Sequence, residues 1–295
     1  MGTTKNQFIV FMAFLMSLVA LTIDAMLPAL GAMKNSLGVV EDNDIQLVIS
    51  MIFLGMSFGM MLYGPLSDAW GRKKALYLGI SIYILGNIIS LLAQDLEIML
   101  LGRFFQGFGA ASCRVVSVAM VRDRFSGVEM GKVMSLIMVF FIIVPALAPV
   151  LGQLVMYLFN WQAIFWLFIL LAISGVFVLR FIQEETHPLH KRIPFTPKVI
   201  WNGIRETLLN PISRGYTLAL GLIFGSFISY LSLAQQILQV QFNLGDKFSL
   251  YFGGLALFIG MSSFINSRFV EKYGMKKLSF IALIGLSIQN IVSLY

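Results

Sequence analysis

The chain has 295 residues, of which 58% are hydrophobic and only 12% are charged, whereas a soluble domain carries about 25% charged residues. This composition excludes a soluble globular protein, and the long apolar runs are those of a helical membrane protein rather than of a barrel built from short alternating strands. The formal net charge of +7 would suit a nucleic-acid partner, but the basic residues are confined to particular loops, which argues against one.

Nine apolar segments are long enough to cross a bilayer as helices, which takes about 20 residues each. They cover residues 8–30, 45–64, 75–94, 98–121, 132–156, 162–182, 214–240, 248–267 and 278–295. The first segment contains Asp24 and is longer than the core of a signal peptide, so we expect it to be a retained span. The predicted class is an all-α integral membrane protein with about nine transmembrane helices.

The connecting loops alternate between basic and acidic composition. Most of the 21 basic residues lie before the first segment or in the loops after the second, fourth, sixth and eighth segments. Short cytoplasmic loops carry the excess of Lys and Arg, so the N-terminus is predicted to be cytoplasmic. This asymmetry explains the positive charge without a nucleic-acid partner, and it predicts the lipid bilayer as the surroundings of the chain.

Three charged residues lie inside predicted spans, where each costs about 2.5–3.5 kcal/mol to insert. Asp24 lies about 24 Å from the inner end of the first span, and Arg103 about 7 Å below the outer end of the fourth, so we expect them at similar depth. Arg114 follows Arg103 by about three turns and lies on the same helix face. One interpretation is a proton and substrate path in which Asp24 titrates; the other is a static ion pair that fixes helix packing.

The connection between the second and third segments reads GPLSDAWGRKK. Gly64 and Gly71 suit a backbone that turns sharply or packs closely. Asp68 and Arg72 are four residues apart and are expected to pair if the segment stays helical. Lys73 belongs to the basic cluster that marks this side as cytoplasmic. A purely topogenic basic loop is the alternative interpretation.

This GxxxDxxGRKK pattern resembles the signature loop of the major facilitator superfamily. The resemblance implies a major facilitator fold, with a complete N-terminal six-helix bundle and a partial C-terminal bundle. In that family the loop acts as a latch, or gate, between the two halves. The matching positions are Gly64, Asp68, Gly71, Arg72 and Lys73.

A long polar loop after the sixth segment divides the chain. The predicted parts are an N-terminal bundle over residues 1–183, a cytoplasmic linker over 184–213 and a partial C-terminal bundle over 214–295. The later stretch SRFVEKYGMKK repeats the signature pattern, with Glu271 in the acidic position and Gly274 in that of the second glycine. A twelve-span transporter would have about three more helices, so we expect a truncated reading frame or a dependence on something further.

The linker contains one amphipathic pattern and two histidines. Ile200, Ile204 and Leu208 recur every four residues, which predicts a short helix lying on the inner membrane surface. His187 and His190 are three residues apart and are interpreted as solvated loop residues; a metal site is the alternative, for which two ligands alone are weak evidence. No metal site or cofactor is predicted.

The fourth segment reads LGRFFQGFGAA, which resembles the family's second motif, RxxQG. The resemblance links Arg103 to proton transfer, and Gln106 lies three residues further on, where it is expected to face the same cavity. The alternative interpretation is that the small residues merely let another helix approach closely.

The fifth segment contains VPALAPVLG, which resembles the antiporter motif of the drug-efflux branch except at its first residue. Pro145 and Pro149 are four residues apart, so they free backbone carbonyls and kink the helix, and Gly152 ends the motif. Such a break has to be buried against other helices. In that branch the motif is associated with efflux; a structural kink is the alternative.

The nearest group is the Bcr/CflA-like drug–proton antiporters, which share a DxxLP stretch found here at residues 24–28. The resemblance implies a monomer of the bacterial inner (plasma) membrane that exports small amphipathic compounds against protons by alternating access. Asp24, Gln106 and Met26 are expected at the substrate cavity. Proton-coupled uptake of a metabolite and a non-transporting fragment are the alternatives. No phosphate-binding loop or catalytic triad is present, so no enzyme is predicted.

Overall fold

A computed structural model describes residues 4–41, 43–273 and 275–292, and all regular elements in these ranges are helical. The helices are α1 (Lys5–Asp24), α2 (Leu30–Ser36), α3 (Leu47–Trp70), α4 (Arg72–Leu91), α5 (Leu96–Arg124), α6 (Gly127–Leu158), α7 (Gln162–Phe181), α8 (Pro197–Leu209), α9 (Pro211–Gln235), α10 (Phe248–Tyr273) and α11 (Met275–Val292). Below, α1–α7 are called the N-terminal helices and α9–α11 the C-terminal helices.

In the described part of the chain, seven helical stretches are long and apolar enough to cross a membrane. They are Lys5–Ser36, Asp44–Trp70, Arg72–Leu91, Leu96–Arg124, Gly127–Leu158, Gln162–Phe181 and Pro211–Gln239. These correspond to the first seven predicted spans. A further apolar helical stretch, Phe248–Ile259, is shorter, so the predicted total of about nine transmembrane helices is not confirmed by this count.

The first span is a broken helix. Its regular part begins with a capping box at Thr4 and ends at Asp24, and a 3₁₀ turn over Leu27–Ala29 connects it to α2. Pro28 lies in that turn and has no backbone N–H, so it cannot continue the ladder of helical hydrogen bonds. The break therefore places Asp24 at the end of a helix in the middle of a span.

Helix α5 lies at the centre of the N-terminal helices and packs along both α3 and α4. The contact is close because Gly107 has no side chain, and a Cβ there would overlap the backbone carbonyl of Ile52 on α3. This agrees with the interpretation that the small residues of the fourth span allow close helix approach.

The C-terminal helices contact the N-terminal helices at two places. Helix α10 packs along α6, and Ser249 Oγ donates a hydrogen bond to the carbonyl of Pro149 at 3.1 Å. The end of α9, which continues into a π-helical turn over Gln236–Gln241, meets the start of α3. There Gln46 Nε2 lies 3.3 Å from Gln235 Oε1.

The linker contains the helix α8 where the spacing of Ile200, Ile204 and Leu208 predicts one. Trp201 and Leu208 are exposed to solvent on its surface. The repeat of the signature pattern cannot be compared with the first copy, because Gly274 and the side chain of Glu271 lie outside the described residues.

Candidate functional site

A cavity of about 500 Å³ lies between the N-terminal and the C-terminal helices. Two charged side chains line it, those of Asp24 and Arg114. The rest of its wall is apolar or aromatic: Val19, Ala20, Ile23, Phe53, Met56, Met138, Pro145, Phe224, Phe227, Tyr230, Leu231, Phe252, Leu255, Ala256 and Ile259. A larger, polar depression of about 810 Å³ at the junction of α8 and α9 contains none of the predicted site residues.

Asp24 faces the cavity because of its position on α1. It shares one face of the helix with Val19, Ala20 and Ile23, which line the same wall. The residue is 5% exposed, and within the described part of the chain its carboxylate takes part in no hydrogen bond or ion pair. A carboxylate in such surroundings is costly unless it binds a proton or a cation.

Arg103 is fully buried and is held by three oxygen atoms from three helices. Its Nε donates to the carbonyl of Val48 at 3.1 Å, its Nη1 to Gln106 Oε1 at 2.6 Å and its Nη2 to the carbonyl of Thr22 at 3.3 Å. None of these oxygens belongs to a carboxylate. This guanidinium is therefore held by charge-assisted hydrogen bonds to neutral acceptors.

The predicted meeting of Asp24 and Arg103 does not occur in the structure. The predicted depth is right, because Arg103 bonds the carbonyl of Thr22, two residues before Asp24. The direction is wrong, because the carboxylate of Asp24 lines the cavity, and two residues turn an α-helix by about 200°, so it does not share the side of α1 on which the Thr22 hydroxyl meets Tyr83. Matched depth in the membrane did not fix the rotation of α1 about its axis.

A chain of buried polar side chains continues from Arg103. Gln106 Nε2 donates to Asn87 Oδ1 at 2.7 Å, and Asn87 Nδ2 donates to the carbonyl of Tyr83 at 2.7 Å. The hydroxyls of Tyr83 and Thr22 lie 2.7 Å apart. The sequence interpretation missed Asn87, Tyr83 and Thr22; polar residues in apolar spans were the available signal.

Two residues predicted at the substrate cavity are not part of its wall. Met26 is fully buried in the turn that follows α1. Gln106 is fully buried between Arg103 and Asn87. Of the three residues predicted at the substrate cavity, only Asp24 therefore lines it, and Arg114 lines it as well.

The proline motif of α6 lies against the first span and the cavity. Pro145 lines the cavity. A Cβ at Gly152 would overlap the backbone carbonyl of Ala25, so the absence of a side chain lets α6 touch the residue next to Asp24. Pro149 contributes its carbonyl to the hydrogen bond with Ser249 of α10. The motif thus connects the break in the first span to the C-terminal helices.

The signature loop forms a compact set of ion pairs. Arg72, which is 5% exposed, pairs with Asp68 at 2.6 Å, as the spacing of four residues predicts. The same guanidinium binds both carboxylate oxygens of Asp123 at the end of α5, at 2.8 and 3.2 Å. Gly71 joins α3 to α4 with a φ of +97°, a conformation that L side chains rarely adopt.

The linker closes over this loop. Both oxygens of Glu185 accept hydrogen bonds from the first backbone N–H groups of α4, those of Arg72 at 2.9 Å and Lys73 at 3.1 Å. Lys73 Nζ donates to the carbonyl of Gln183 at 2.6 Å. Gly64 lies within α3, and a Cβ there would meet no atom within 4 Å, so close packing does not explain this glycine.

Comparison with known proteins identifies related chains over nearly the whole length. A family model described as Major Facilitator Superfamily matches residues 8–294. The uncharacterized MFS-type transporter YdgK of Bacillus subtilis is 32% identical in an alignment of 292 positions that covers 96% of this chain and 72% of the relative. The bicyclomycin resistance protein homolog of Haemophilus influenzae is 29% identical over 277 residues, which are 94% of this chain and 69% of the relative.

Two further similarities cover a smaller share of the matched protein. The multidrug resistance protein MdtL of Escherichia fergusonii is 34% identical over 184 residues, 62% of this chain and 45% of the relative. The crystal structure of the human organic anion transporter MFSD10 (TETRAN) superposes with a TM-score of 0.50 at 21% identity, over 70% of this chain and 53% of that one. At this identity the structural likeness shows the fold alone.

Proposed function

This chain belongs to the Major Facilitator Superfamily, and we propose that it exports small amphipathic compounds in exchange for protons by alternating access. The names of its bacterial relatives, a bicyclomycin resistance protein homolog and a multidrug resistance protein, support efflux. The proposed location is a bacterial inner membrane, with the N-terminus in the cytoplasm and the chain acting as a monomer. The basic loops support this orientation.

The observation that carries the proposal is the carboxylate of Asp24 in the wall of an apolar and aromatic cavity. Phe53 from α3 and Phe224, Tyr230 and Phe252 from the C-terminal helices supply flat apolar surface for the body of a substrate. The carboxylate is stable there either protonated or in contact with a substrate. The two states exclude each other, which is the condition for exchanging one for the other.

The signature loop supports a gating role at the cytoplasmic end. Asp68, Gly71, Arg72 and Lys73 hold the ends of α3 and α4 to α5 and to the linker through the ion pairs and hydrogen bonds described above. The proposal is that this cluster moves as one unit when the two groups of helices rock against each other. Gly64 joins that unit through its backbone carbonyl, which accepts a hydrogen bond from Ser67 Oγ at 2.9 Å, while Ser67 Oγ accepts one from Arg72 Nη1 at 2.7 Å.

Transport into everted membrane vesicles tests the proposal. With an acid interior, an antiporter accumulates a labelled amphipathic drug that is added outside and dissipates the proton gradient as it does so. We expect accumulation, and we expect Asp24→Asn to abolish it while the amount of protein in the membrane stays the same. Asp44→Asn, at an exposed position in the 3₁₀ turn before α3, is the matched control and should leave accumulation intact.

The same experiment distinguishes export from import. A proton symporter that imports a metabolite would drive its substrate out of acid-loaded everted vesicles. Gradient-driven accumulation by Asp24→Asn at the unmodified rate would remove Asp24 from the mechanism. Absence of any drug-dependent loss of the gradient in the unmodified protein would contradict exchange against protons.

A further inference from the structure

Thr22 lies near the C-terminal end of α1 and is contacted by side chains from two other helices. Arg103 Nη2 on α5 donates to its backbone carbonyl at 3.3 Å, and the hydroxyl of Tyr83 on α4 lies 2.7 Å from its hydroxyl. Thr22, Tyr83 and Arg103 are all fully buried. Two helices therefore contact one residue of α1 through directional bonds.

The direction of the hydroxyl pair follows from the other bond that Thr22 makes. Thr22 Oγ1 donates its single proton to the carbonyl of Leu18 at 2.6 Å. A hydroxyl has one proton and two acceptor lone pairs, so in the contact with Tyr83 the threonine accepts. Tyr83 is consequently the donor, and its phenolic O–H points at α1.

The carbonyl of Thr22 is one that needs a partner from outside its helix. The last four carbonyls of an α-helix have no partner within it, and α1 ends at Asp24. The N–H of Ala25 serves the carbonyl of Leu21. The carbonyl of Thr22 accepts its hydrogen bond from the guanidinium of Arg103 instead. A cation at this end of a helix also interacts favourably with the helix dipole.

We propose that Tyr83 is a positioning residue for Asp24. Together with Arg103 it holds Thr22, and because Thr22 and Asp24 point in directions about 200° apart, this grip turns the carboxylate toward the cavity. Without the O–H of Tyr83 the end of α1 turns more freely, and the side chain at position 24 spends less time facing the cavity. The role rests on the proposed function, in which Asp24 exchanges a proton for substrate.

Thiol labelling at position 24 tests the positioning role of Tyr83 without requiring transport. Asp24→Cys is placed in a Cys113→Ala background, which removes the chain's single native cysteine, and the rate of reaction with a small membrane-permeant maleimide is measured. Adding Tyr83→Phe should slow labelling about three- to tenfold, as expected for the loss of one buried hydrogen bond. Tyr63→Phe is the matched control, because that hydroxyl is also buried but has no hydrogen-bond partner among the described residues, and it should not change the rate.

The partner residue provides a second, independent variant. Thr22→Val removes the acceptor and should slow labelling as much as Tyr83→Phe, whereas Thr22→Ser keeps the hydroxyl and should preserve the rate. The double variant Tyr83→Phe/Thr22→Val should be no slower than either single one, since both remove the same bond. If Tyr83→Phe does not reach the membrane, the comparison of the valine and serine variants decides alone.

Two outcomes would overturn the proposal. One is an equal labelling rate for the Tyr83→Phe and Tyr63→Phe variants; the other is a serine variant at position 22 as slow as the valine variant. If the unmodified protein exports no drug but the labelling rates differ among the variants as expected, the proposed function is rejected and the positioning role of Tyr83 stands.

Discussion

Arg103 and Asp24 lie at the same height in the protein, but their side chains have different surroundings. The guanidinium is surrounded by the carbonyls of Val48 and Thr22 and the amide oxygen of Gln106, whereas the carboxylate faces the cavity. A direct ion pair would have neutralised both groups and removed the one acidic group from the cavity wall. Holding the guanidinium of Arg103 with neutral oxygens leaves the carboxylate of Asp24 available for the proposed exchange.

Replacement of Arg103 by lysine tests whether the fork of the guanidinium matters. A lysine ammonium has no planar fork and cannot reach the same three acceptors from one rigid group, so at least one buried acceptor loses its donor. We expect Arg103→Lys to lower the free energy of unfolding by roughly 1.5–3 kcal/mol, measured as a lower melting temperature in detergent. Arg122→Lys, exposed on the same helix, should change it by less than about 0.5 kcal/mol. Equal melting temperatures for the two variants would show that the three contacts contribute nothing to stability.

At the scale of elements, the signature loop shows how far sequence spacing can lead. The pair of Asp68 and Arg72 was predictable because residues four apart meet on a helix. Asp123 and Glu185 were not, because they approach Arg72 from positions 51 and 113 residues away along the chain. Such contacts depend on how α3, α4, α5 and the linker pack, and local spacing carries no information about that packing.

Alanine substitutions at the two glycines of the signature loop should affect stability differently. Gly71→Ala forces a side chain into a φ of +97° and places its Cβ 2.7 Å from Glu185 Oε2, so we expect a loss of roughly 1–3 kcal/mol in unfolding free energy. Gly64→Ala lies inside α3 in open space, where the higher helix propensity of alanine and the restriction that Pro65 imposes on the residue before it oppose each other, so it should change the unfolding free energy by less than about 1 kcal/mol. Melting temperatures of the two variants in detergent measure the difference. A Gly64→Ala protein as unstable as Gly71→Ala would contradict the described geometry.

At the scale of the whole molecule, hydropathy predicted the spans better than their arrangement. The first seven predicted spans match described helices because a bilayer-length apolar run has few other stable structures. The cavity was not predictable in the same way, since its wall combines α1, α3, α5 and α6 with two C-terminal helices. Met26 and Gln106 were assigned to it by their neighbours in sequence, but Met26 is buried in the turn after α1 and Gln106 is buried between Arg103 and Asn87.

The contact between α3 and α9 is made of neutral polar groups at the end of the molecule that the loop charges predict to be outside. Gln46 Nε2 lies 3.3 Å from Gln235 Oε1, and the hydroxyls of Ser50 and Ser232 are 3.5 Å apart. Gln46 Oε1 is buried and has no hydrogen-bond partner in the part of the chain that the structure describes, which makes the closed contact less stable than a fully paired one. Under the proposed alternating access, this contact between α3 and α9 has to separate in every transport cycle.

A cross-link across this contact should therefore stop transport. In the Cys113→Ala background, cysteines at positions 46 and 235 are joined with a short bifunctional thiol reagent, and drug accumulation in everted vesicles is measured before and after. Because the outer ends of α3 and α9 can then no longer separate, we expect accumulation to fall by at least about tenfold in the cross-linked protein, and a cleavable reagent should restore it after reduction. Each single-cysteine protein treated with the same reagent is the control and should keep its activity. Full transport by the cross-linked protein would mean that the two helices move together, and that the opening between the N-terminal and C-terminal helices lies elsewhere.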